Sequence, residues 1–75
     1  MSPESVEVVE QEILDYLRRH PTAQDTVEGI AEWWLQRREQ DVVRKALDHL
    51  VLMKEVKSFI SADGRRHYSA LMGRR

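Results

Sequence analysis

A single switch of hydrophobic period constrains this sequence more than any other feature. Up to about residue 53, apolar residues recur at three- and four-residue steps, the period of a helix with one buried face. Beyond Val56 they flank an Asp63-Gly64 pair, the strongest short signal for a tight hairpin turn. A chain of 75 residues with helices first and one hairpin last has few ways to close a core.

The spacing predicts a first helix from about Ser5 to Arg19, with Val6, Val9, Ile13 and Leu17 on its buried stripe. Ser2 or Ser5 is suited to cap it, and acids in its early turns favour the positive end of the helix dipole. Pro21 ends it, because a residue before proline is pushed out of the α region. Asp25-Thr26 starts a second helix that runs to about Leu35, with Val27, Ile30, Ala31 and Trp34 inward. Trp33, about 100° round from Trp34, is expected to be partly buried against the first helix. After the polar break Gln36-Arg37-Arg38, a third helix spans about Glu39 to Met53 with Val43, Ala46, Leu47 and Leu50 inward. A two-residue turn at Asp63-Gly64 sets Ala62 opposite Arg65, Ile60 opposite His67, Phe59 opposite Tyr68 and Val56 opposite Leu71. Phe59 and Tyr68 then share one face of the hairpin, and Val56, Ile60 and Leu71 the other, whereas a bulge at the turn shifts this register and the faces with it.

The expected organisation is one domain over residues 1–75, ordered from about 5 to 72, with a short basic tail at 73–75. Apolar residues make up 41% of the chain, enough for one small core, and at this length a deep substrate pocket is not expected. There is no cysteine, which excludes disulfides and thiolate metal sites. No apolar run reaches the ~20 residues that span a bilayer. Met1-Ser2-Pro3-Glu4 lacks the basic patch and apolar core of a secretory signal, so a cytoplasmic location is expected.

The order of elements resembles the winged helix-turn-helix family: mainly α, a three-helix bundle with a C-terminal β-hairpin as the wing. The residues that carry the likeness are Val43-Arg44-Lys45-Ala46-Leu47-Asp48-His49-Leu50, then Val56, then Asp63-Gly64-Arg65-Arg66-His67-Tyr68, then Leu71. Length and layout are also similar to the small accessory D protein of dissimilatory sulfite reductase operons, itself a winged helix. One position departs from the pattern. The family has glycine between the third helix and the next strand, whereas this chain has Met53-Lys54-Glu55. Either Lys54 takes a left-handed conformation at a cost on the order of 1 kcal/mol, or the helix ends differently.

The net charge of −1 hides an asymmetry. Residues 1–36 carry eight acids and two bases, whereas residues 37–75 carry ten bases and five acids. A basic half of this kind suits an anionic partner. The resemblance implies that the third helix enters the major groove of double-stranded DNA. Gln40, Arg44, Lys45 and Asp48 would then face base edges, and Arg37, Arg38, Arg65 and Arg66 the backbone. Such a domain would regulate transcription, as a homodimer, since one copy buries too little surface to be specific alone. The acids Glu39, Asp41 and Asp48 oppose phosphate and keep a second reading open. In it the chain is a protein-interaction module or accessory subunit that does not bind DNA. Its basic half would dock an acidic protein, and Trp33, Leu52, Phe59 and Tyr68 would supply apolar contacts.

Catalysis and cofactors find no support. Ser58, Ser61 and Ser69 have no partnered base in sequence reach, and no glycine-rich phosphate loop exists. His20, His49 and His67 are too scattered to suggest a metal site, so no enzyme activity, cofactor or metal is expected.

Overall fold

The computed structural model describes residues 5–71, and the proposed Ser2 cap and basic tail at 73–75 lie outside them. Helix α1 covers Val6–Arg19, capped by Ser5, whose hydroxyl accepts from the Glu7 amide at 3.1 Å. A two-residue strand β1, Gln24–Asp25, follows the Pro21 turn. Helix α2 begins over Val27–Gly29, capped by the Thr26 hydroxyl, and continues as a π-helical stretch over Ile30–Trp34. Helix α3 spans Gln40–Leu52, β2 spans Val56–Ile60 and β3 spans Arg66–Ala70. The strands form one antiparallel sheet in the order β1-β3-β2.

The core lies where the apolar stripes meet. Val9, Ile13 and Leu17 of α1 pack with Ile30 and Ala31 of α2, with Val43, Ala46, Leu47 and Leu50 of α3, and with Val56 and Tyr68 of the sheet. Two polar links tie the elements from outside that core. Glu10, itself buried on α1, meets Nδ1 of His49 on α3 at 2.5 Å. Glu12 on α1 pairs with Arg38, just before α3, at 2.6 Å.

Four features depart from the sequence expectation, three of them in the helices and the first strand. The second helix changes pitch, with the Leu35 amide donating five residues back to the Ile30 carbonyl at 3.0 Å. The wider turn ends in two successive left-handed residues, Gln36 (φ 57°) and Arg37 (φ 72°). Second, Trp34 keeps its expected inward place, but Trp33 does not take its own. Trp34 stacks on Tyr16 of α1, with ring centroids 4.5 Å apart, while Trp33 is 74% exposed rather than partly buried. Third, the strand β1 pairs Gln24 with Ser69 and Asp25 with Tyr68, an extension of the hairpin that no periodic signal announces in two residues.

The hairpin register is also one residue away from the expected one. Ser58, not Phe59, lies opposite Tyr68, and Val56 lies opposite Ala70 rather than Leu71. The turn is the reason. Ala62-Asp63-Gly64 form a three-residue loop closed by the Ser61 amide on the Arg65 carbonyl at 2.9 Å. Gly64 takes the left-handed position such a loop requires (φ 84°). A slip of one residue separates side chains expected on the same face. Tyr68 therefore joins Val56 in the core, and Phe59 stacks on His67 on the other face.

Lys54 is left-handed (φ 63°) and closes α3 in a Schellman arrangement. The Glu55 amide reaches the Leu50 carbonyl at 2.9 Å and the Lys54 amide reaches Val51 at 3.0 Å. Lys54→Gly is therefore expected to stabilise the domain by about 1 kcal/mol, raising the thermal midpoint by roughly 4–8 °C in a melt followed by circular dichroism. The register makes a separate forecast for denaturant unfolding. Tyr68→Ala should cost roughly 3 kcal/mol and Phe59→Ala less than half of that. Equal losses would contradict the observed pairing.

Candidate nucleic-acid interface

Exposed residues on α3 recur at four-residue steps and so share one face of the helix: Gln40, Arg44 and Asp48. The hairpin is seated by the buried Tyr68, and Arg66 of β3 lines the same surface as Arg44 and Asp48 of α3. The result is an open depression lined by Thr26, Val27, Glu28, Arg44, Asp48, Arg65, Arg66 and Tyr68. Four residues expected from the sequence to face DNA thus converge: Arg44, Asp48, Arg65 and Arg66.

Local bonds position the three arginines among them. The Arg66 guanidinium donates to the Ser58 hydroxyl across the strand pair at 3.0 Å. Arg44 lies 3.3 Å from Asp41, one turn back on the same helix, in an exposed pair. The wing tip carries its own brace. Asp63 accepts from the Arg65 amide at 3.1 Å and from the Ser61 hydroxyl. The Ser61 bond, then that amide, holds the Asp63 carboxyl below its usual range, so the brace stays charged at neutral pH.

Two acids enter this basic setting. Glu28 titrates below the ordinary glutamate range, chiefly because its own backbone amide donates to it. The Thr26 hydroxyl and the charges of Arg65 and Arg44 act in the same direction. Burial, then the nearby Asp48 carboxylate, pushes the Tyr68 phenol above its usual value, so it remains a protonated donor at neutral pH. Glu28 escaped the sequence reading because it looks like any acid in a first helical turn; only the fold sets it opposite the hairpin.

The remaining candidates lie elsewhere. Gln40 and Lys45 are exposed on α3 but do not line the depression. Arg37 sits at the left-handed turn, 3.8 Å from Glu32. Arg38 is turned towards α1, where it pairs with Glu12 beside a second depression that also includes Asp15, Arg19 and Trp34. Of the apolar candidates, Trp33 and Leu52 are about three-quarters exposed, Phe59 is half-buried, and Tyr68 is 4% exposed and belongs to the core. Tyr68 is therefore no docking contact. Among the described residues no three metal-binding side chains cluster, and no helix is long and apolar enough to cross a membrane.

Three helices closed by a small antiparallel sheet in this order make a winged-helix domain. The crystal structure of the apo-Zalpha of zebrafish PKZ has the same architecture, with a TM-score of 0.73 and 26% sequence identity. The alignment covers 91% of this chain and 98% of that one. No family model and no curated protein sequence matches the chain. The structural likeness supports the winged-helix fold and does not extend to the sulfite reductase accessory protein.

The placement of Arg38 separates architecture from binding. Arg38→Ala should lower stability by on the order of 1 kcal/mol in urea unfolding, because the half-buried Glu12 loses a charged partner. The same substitution should leave affinity for nucleic acid within about twofold, since its guanidinium faces α1.

Proposed function

We propose that this domain binds double-stranded DNA, with α3 presented to the major groove and the hairpin on the phosphate backbone, as the DNA-binding part of a small transcriptional regulator. One observation carries the reading: Arg44, Arg65 and Arg66, from two separate elements, line a single face beside α3. Guanidinium groups suit phosphate and guanine edges because their planar forks donate in pairs. Gln40 and Lys45 extend the same helix surface, and Arg37 flanks its start. The likeness to the zebrafish domain supports a winged-helix binding module rather than an enzyme. Two copies on adjacent half-sites would supply the contact area that one domain of this size lacks.

A second reading, docking onto a protein, draws on the exposure of Trp33 and Leu52. Salt separates the two, because phosphate contacts release counterions and apolar burial does not. Fluorescence anisotropy against a mixed-sequence duplex should show binding that weakens steeply as salt rises. Arg44→Ala, Arg65→Ala and Arg66→Ala should each lower the slope of log affinity against log salt by about one. Absence of duplex binding at low salt would overturn the DNA reading. Unchanged slopes in all three variants would remove the depression from it.

A further inference from the structure

The depression is not a uniformly basic surface. Its three arginines, Arg44, Arg65 and Arg66, share it with two carboxylates, Glu28 and Asp48. Glu28 lies with Thr26 and Val27 at the start of α2, where the charges of Arg65 and Arg44 act on it. Asp48 lies at the junction with a third, more apolar depression, which Val51, Leu52, Ser58, Arg66 and Tyr68 also line. Both residues are exposed, so both meet any ligand that enters.

A carboxylate at neutral pH accepts hydrogen bonds and donates none. A phosphodiester or polyphosphate chain likewise offers only acceptor oxygens. A bare polyanion that reaches the arginines therefore sets its oxygens against those of Glu28 and Asp48. A nucleic acid presents a second kind of group beside its phosphates, the exocyclic amino groups of cytosine and adenine. Such an amino group can donate to Asp48 while a neighbouring phosphate takes an arginine.

Building on the DNA reading above, we infer that Glu28 and Asp48 are the selectivity determinants of the depression: they reject simple polyanions and admit ligands that pair phosphate with base amino groups. Glu28 is the competitor, an internal carboxylate that a phosphate must displace from the field of Arg44 and Arg65. Asp48 is the reader, placed on the helix that faces the groove.

The test compares two probes, a labelled mixed-sequence duplex and inorganic polyphosphate, on the same protein. Wild type should bind the duplex more tightly than polyphosphate per phosphate. Glu28→Gln and Asp48→Asn should each raise affinity for polyphosphate by about fivefold, the effect of removing one like charge at contact distance in water. The gain for duplex should be smaller, and with Asp48→Asn smallest on cytosine-rich duplex. Both positions are exposed, and thermal melts unchanged from wild type would show that the variants remain folded. Equal gains for the two probes, or no gain for either, would overturn the selectivity role while leaving duplex binding intact. A wild type that binds polyphosphate and duplex alike would also overturn it. A wild type that binds neither would overturn this inference together with the DNA reading.

Discussion

The burial of Tyr68 is the constraint on which the site depends. A hairpin of two five-residue strands is marginal by itself and holds its place only by packing one face on the helices. Tyr68 and Val56 supply that face, and the three-residue turn at Ala62-Asp63-Gly64 brings both to the same side. With the sheet seated this way, Arg66 and Arg65 lie beside Arg44 and Asp48 of α3. A one-residue change of register would carry Tyr68 away from the Val56 side of the sheet and break this convergence.

Charge along the chain does not map simply onto charge in space. The acidic first half and the basic second half meet at several pairs: Glu10 with His49, Glu12 with Arg38, and Glu32 with Arg37. Part of the asymmetry therefore holds the domain together instead of addressing a partner. Glu28 makes the same point in the opposite sense, since an acid of the first half lies among the bases of the second. The basic character of the site is consequently smaller than a count of arginines suggests, and its pattern of donors and acceptors is richer.

The helices were legible because their information is local. Each apolar stripe repeats over three or four turns, and Ser5, Thr26 and Pro21 mark the ends, so α1, α2 and α3 fall within a residue or two of expectation. The left-handed Lys54 after α3 is one of the two outcomes left open where the family has glycine and this chain has Met53-Lys54-Glu55. The missing parts depend on long-range geometry. Asp63-Gly64 suits both a two-residue and a three-residue loop, and only the packing of Tyr68 selects between them. Strand β1 exists because β3 offers it an edge, not because Gln24-Asp25 favours strand. Trp34 lies inward as its stripe predicts and meets Tyr16, whereas nothing local distinguishes the exposure of its neighbour Trp33. In the candidate site, the sequence supplied Arg44, Asp48, Arg65 and Arg66, misplaced Arg38, and held no sign of Glu28.

The brace at the wing tip bears on the speed and cost of recognition. Arg65 and Arg66 leave a turn whose backbone is already closed by the Ser61 amide, the left-handed Gly64 and the Asp63 carboxylate. A flexible loop would have to surrender backbone freedom on meeting a ligand, and that loss would be subtracted from every contact it made. Here the surrender has been completed during folding. Arg66 already rests on the Ser58 hydroxyl, so an encounter with an anionic surface can become a formed contact without waiting for a loop to order.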